Sequence, residues 1–80
     1  MAFDVERIGR EVQRACPDVE VQVIVNGAMS RVDCWVMEWG RKSYAGGVQA
    51  DGWLRAADVR SPERRAIVGA LLAAVTEGEA

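Results

Sequence analysis

Eighty residues, half of them apolar and 28% charged, fit one small globular domain and exclude a disordered or fibrous chain. Ten basic side chains against twelve acidic ones leave a net charge of −2, so bulk attraction to nucleic acid or an anionic membrane is not indicated. Histidine is absent, which removes His-based triads, most zinc sites and the usual general base near neutral pH.

The chain opens Met1-Ala2-Phe3-Asp4-Val5-Glu6-Arg7, with acids where a signal peptide needs an apolar core. No apolar run approaches the roughly 18 residues of a membrane helix. These features predict a soluble, cytoplasmic protein. Cys16 and Cys34 are too few for a disulfide framework and too far apart for a CxxC site, so reduced thiols are expected.

Val5, Ile8, Val12 and Ala15 recur at steps of three, four and three, which predicts a helix over 4–16. Asp4 is its N-cap, Glu6 and Arg10 form an i,i+4 pair, and Pro17 ends it. Gly9 costs about 1 kcal/mol of helix propensity against Ala, and is expected to mark close packing.

The period then changes from 3.6 to 2. Val19, Val21, Val23 and Val25 alternate with Glu20, Gln22, Ile24 and Asn26, predicting a half-buried strand over 18–26. Asn26-Gly27 is a two-residue hairpin signal, leading to a second strand over 28–39. Gly40-Arg41 turns the chain into a third strand over 42–49. Asp51-Gly52 is a further turn before an optional short strand at 53–55. Ser61-Pro62-Glu63 gives an N-cap, a proline at the first helical position and an acid at the positive end of the dipole. The closing helix runs over 61–77 on a stripe of Ile67, Ala70, Leu71, Ala74 and Val75, with Gly78 as the stop.

The fold class expected is α+β: a single domain over 1–80 in the order α-β-β-β-α, a three- to four-stranded antiparallel meander with both helices on one face. A two-residue turn at Asn26-Gly27 sets Val25 opposite Ala28, Val23 opposite Ser30 and Val21 opposite Val32. A turn at Gly40-Arg41 sets Val36 opposite Ala45, Cys34 opposite Gly47 and Met37 opposite Tyr44. One face is then rich in valine and is the core side. The other collects Trp35, Met37, Trp39, Tyr44 and Trp53, with Ile24 and Met29, rimmed by Glu20, Arg31, Asp33, Lys42 and Arg55. If both helices pack on the valines, the aromatic face is open, an apolar patch with a charged rim of the kind found at protein interfaces. If one helix covers it, the tryptophans are core.

Catalytic signals are weak. Cys34 has no histidine to activate it, Asp33 and Glu38 point to opposite faces by parity, and Gly46-Gly47 lacks the Lys-Ser/Thr and helix start of a phosphate loop. Neither enzyme activity nor a metal or cofactor is expected. Arg7, Arg10 and Arg14 share one side of the first helix, and Arg60, Arg64 and Arg65 cluster at the start of the last. Glu6, Glu11, Asp58 and Glu63 are interleaved with them, as on a solvated face.

The α-β-β-β-α order resembles the double-stranded RNA-binding domain, in which a lysine-rich motif at the last helix clamps phosphates. The matching stretch is Arg60-Ser61-Pro62-Glu63-Arg64-Arg65, which keeps arginines but inserts an acid and a proline. A second resemblance, in size, mildly acidic charge and an Arg/Ala/Val-rich composition without a catalytic set, is to the small phage-encoded anti-CRISPR proteins that inhibit type I surveillance complexes. That resemblance implies stoichiometric inhibition in the host cytoplasm: binding to a Cascade subunit and blocking target DNA recruitment. The route expected from the chemistry is Glu20, Asp33, Glu38 and Asp51 competing for cationic DNA-holding surfaces beside the tryptophans. The partner-binding set is thus Trp35, Met37, Trp39, Tyr44, Trp53, Glu20, Asp33, Glu38 and Asp51. The alternatives are direct nucleic-acid binding through the arginine clusters, or a small homodimeric interaction domain.

Overall fold

The computed structural model describes residues 3–56 and 60–78, in the order α1 (Val5–Ala15), β1 (Glu20–Asn26), β2 (Arg31–Glu38), β3 (Arg41–Gln49), β4 (Leu54–Ala56) and α2 (Pro62–Gly78). The four strands form one antiparallel meander, β1-β2-β3-β4, and both helices lie on the same face of it. This is the α+β arrangement expected, with the optional fourth strand formed. Asp58 of the expected acidic set lies outside the described residues.

Both helices start where their caps dictate. The Asp4 carboxylate accepts the Arg7 N–H at 3.1 Å, and the Ser61 hydroxyl accepts the Arg64 N–H at 3.3 Å. Arg7 and Glu11 form an ion pair on α1 at 3.0 Å, one step along from the expected Glu6–Arg10. Arg7 also donates to the Ala74 carbonyl at 2.8 Å, tying α1 to α2. Gly9 has open space where a Cβ would sit, so it does not mark close packing.

The core lies between the helices and the valine face. Ile8 and Val12 from α1 meet Ile67, Leu71, Ala74 and Val75 from α2 over Val32, Cys34, Val36, Ala45 and Val48. Among the described residues no helix is long and apolar enough to cross a membrane.

The three turns decide the register, and two differ from expectation. The first hairpin pairs Asn26 with Arg31 and Val25 with Val32, closing over four residues rather than two. Asn26 does not occupy the turn; its Oδ1 accepts the Met29 N–H at 3.3 Å. The slip moves each partner by four positions, an even number, so the faces are unchanged. The second hairpin turns one residue earlier than expected, at Trp39-Gly40, where both residues have positive φ (54° and 73°) as a type I′ turn requires. Trp35 rather than Met37 therefore faces Tyr44, and Met37 faces Lys42.

A bulge between Cys34 and Trp35 admits Ala45 as an extra residue on β3. Beyond it Cys34 pairs with Gly46, not Gly47, and Val48 returns to the core side opposite Val32. The third hairpin closes by Gln49 N–H to the Trp53 carbonyl at 2.9 Å, with Gly52 at φ +89°.

The open aromatic face

The face away from the helices is built on β2 and β3. Residue parity sends Arg31, Asp33, Trp35 and Met37 there from β2, Lys42, Tyr44 and Gly47 from β3, and Glu20, Gln22 and Ile24 from β1. Arg55 of β4 lies opposite Gly47 on the same side. Trp35 and Tyr44 meet edge to face, with ring centroids 4.9 Å apart. The Lys42 ammonium sits 5.1 Å over the Trp35 ring, and the Arg55 guanidinium 5.6 Å over Tyr44.

Beside this pair is a shallow depression of about 350 Å³ lined by Arg31, Asp33, Trp35, Tyr44 and Arg55. Asp33 forms its floor and is 7% exposed, the buried charged group among the described residues. Its Oδ1 accepts the Tyr44 hydroxyl at 2.7 Å and lies 3.0 Å from Arg31 Nε. The Arg31 contact is an ion pair by distance, but the N–H is not aligned for a hydrogen bond. Burial first, then the hydrogen bond to Asp33, pushes the Tyr44 hydroxyl up to about 12.

Gly47 makes this arrangement fit. A Cβ there would lie 2.5 Å from Asp33 Oδ1 and 2.9 Å from the Tyr44 hydroxyl. Gly46 serves the opposite face, where a Cβ would come 2.6 Å from Val68 Cγ2 and run into the Arg55 carbonyl. The two glycines thus let α2 close on one side while the Asp33–Tyr44 pair seats on the other. Their signal in the sequence is a glycine pair inside a strand pattern, which marks close approach.

The expected partner-binding residues divide. Trp35, Met37, Tyr44, Asp33 and Glu20 share the open face. Trp53 follows onto the same side by register and is 51% exposed, at the β3–β4 loop. Trp39 is not on the strand: it projects from the β2–β3 turn, 98% exposed. Glu38 falls on the helix side by parity, opposite Arg41. Asp51 caps the third turn, its carboxylate accepting the Trp53 N–H at 2.9 Å. The four carboxylates are therefore not gathered beside the tryptophans, and Asp33 is taken up internally. The exposed charges over the aromatic rings are the cations Lys42 and Arg55.

The arginine clusters are partly engaged as well. Arg7 holds Glu11 and Ala74, and Arg64 donates to the Ser43 hydroxyl at 3.2 Å. Cys34 is buried and Cys16 half-buried, both as free thiols. Among the described residues no three Cys, Asp or Glu side chains cluster as a metal site would require.

Fold and face together define a small α+β meander domain whose sheet keeps an aromatic, cation-capped side uncovered by its own helices. No family model, curated protein or solved structure matches the chain.

Proposed function

We propose that the chain is a non-enzymatic binding module that takes a protein partner on the open face of its sheet. The observation that carries this reading is the gathering of Trp35, Tyr44, Met37 and Arg55 on the helix-free side, with Trp53 and Trp39 at its margins. Trp, Tyr and Arg are the residues that dominate binding energy at protein interfaces. With Lys42 and Arg55 over the rings, the matching surface of the partner is apolar with carboxylates at its rim.

The resemblance to anti-CRISPR inhibitors supplies the partner to try first, a subunit of a type I surveillance complex, docked on an apolar, carboxylate-rimmed surface beside its cationic DNA-holding one so that target DNA recruitment is blocked. The test is a pull-down with tagged protein from a lysate expressing such complexes, repeated with Trp35→Ala and Trp39→Ala variants shown to be folded by circular dichroism. Stoichiometric capture of a complex subunit, lost in the Trp35 variant, is the expected result. Capture that survives both substitutions removes the face from the reading. Capture of nucleic acid alone, lost on Arg64→Glu and Arg65→Glu, replaces it with the arginine-cluster alternative.

A further inference from the structure

We propose that β1 is a self-pairing edge, on which a second copy of the chain docks antiparallel about a two-fold axis through Val23. The meander leaves two edges. β4, at one side, is three residues long; β1, at the other, is seven. Short edges and edges carrying proline, lysine or a bulge resist further pairing. Glu20–Asn26 has none of these.

The hydrogen-bond directions along β1 follow from one contact. The Val21 N–H donates to Gln13 Oε1 at 3.1 Å, so it faces away from β2. By alternation the outward groups belong to Val19, Val21, Val23 and Val25, while Glu20, Gln22, Ile24 and Asn26 bond to β2. Gln13 Nε2 also donates to the Val19 carbonyl at 2.6 Å. This one side chain therefore occupies the start of the edge. The Val21 carbonyl, both backbone groups of Val23 and both of Val25 have no hydrogen-bond partner among the described residues.

Pairing about Val23 uses all five of these groups and claims the Val21 N–H as well. The Val23 N–H of each copy meets the Val23 carbonyl of the other, and each Val25 N–H meets the other copy's Val21 carbonyl. Each Val25 carbonyl meets the other copy's Val21 N–H at the position that Gln13 Oε1 holds in the single chain, so docking displaces the Gln13 contacts with Val21 and Val19 and replaces the first with a backbone bond. On the helix side Val21, Val23 and Val25 of one copy face Val25, Val23 and Val21 of the other. That covers Val25, which is 38% exposed. On the open side Gln22 faces Ile24, itself 41% exposed, and Glu20 faces Asn26, so no like charges meet. The result is an isologous, eight-stranded sheet with both aromatic faces on one side. It uses the strand edge and not the face, so it stands independently of the binding function above.

The test is sedimentation velocity of the full chain over a range of concentrations, with Val25→Lys and Val23→Pro variants. Proline is tolerated on an edge whose N–H points outward, and here it removes the central donor from both copies. The wild type is expected to sediment as a dimer at high micromolar concentration, with the Val23 and Val25 amides protected from hydrogen exchange. Each variant is expected to keep the wild-type circular dichroism and to weaken dimerisation by at least about ten-fold. A wild type that stays monomeric to several hundred micromolar, or a dimer that both variants leave intact, overturns the proposal. The Val25→Lys variant keeps the test decisive if the proline variant fails to fold.

Discussion

The Tyr44 hydroxyl donates to Oδ1 of Asp33 at 2.7 Å, across two adjacent strands on the side of the sheet that no described helix covers. A carboxylate that is 7% exposed on such a face is held there by its neighbours rather than by water. Tyr44 supplies the hydrogen bond, Arg31 the charge, and Gly47 the space. The same tyrosine packs its ring edge to face with Trp35. The polar pair therefore fixes the aromatic one.

Replacing Tyr44 by Phe keeps the ring but strands the carboxylate with a misaligned cation. Urea unfolding is expected to show a loss of about 1–3 kcal/mol, the cost of an unsatisfied buried acceptor. The pH dependence has a definite sign. The folded hydroxyl titrates near 12 against an ordinary value of 10, so its contribution is complete below pH 10. It is lost as pH rises through 12. Absorbance of the phenolate checks this directly, since one tyrosine is present.

Gly46→Ala and Gly47→Ala are each expected to destabilise by about 1–3 kcal/mol, because the added methyl meets backbone or a fixed carboxylate. Only Gly47→Ala disturbs the Trp35 environment, which near-ultraviolet circular dichroism reads. Gly9→Ala is the control with the opposite sign. Nothing lies within 4 Å of its Cβ position, so α1 gains about 0.5–1 kcal/mol.

Trp39 holds a left-handed conformation at φ 54°, in a turn position that favours Asn or Gly. It is also 98% exposed. Trp39→Asn is expected to raise stability by about 1 kcal/mol. If the turn contributes to the binding face, the same substitution weakens partner capture. A gain in melting temperature together with a loss of binding separates a functional tryptophan from a structural one.

Burial pushes the Cys34 thiol up to about 11, with Cys16 as a smaller cause in the same direction and Arg64 opposing. The Cys16 thiol is also raised, by partial burial and by Glu63. In the folded protein at pH 8, Cys34 is expected to be silent to a thiol-disulfide reagent and Cys16 slow. Unfolding in urea releases both. Cys16→Ser leaves a folded protein with no detectable reactive thiol, and fast labelling of that variant would contradict the core position of Cys34.

Much of this arrangement was legible in the residues. Asp4 and Ser61 announce the two helix starts because their side chains satisfy N–H groups that nothing else reaches. The alternation of valines assigns a core face to β1 whatever the exact turn, because an even slip leaves every side chain on its own side. What stayed hidden were the turn residues. Asn26-Gly27 carries the pattern of a two-residue turn, yet the asparagine caps a four-residue loop, while Trp39, an unfavourable residue, takes the left-handed position.

Element order and the separation of valines from aromatic residues follow from local spacing of 2 or 3.6 residues, and the two caps from side-chain acceptors within one turn. Which side both helices cover is set by packing between distant segments. The same packing also placed a bulge at Ala45, and that one inserted residue turned Val48 inward and set Gly47 beneath Asp33. Long-range packing makes such choices: a single residue of register reverses a face, and no local propensity registers the cost.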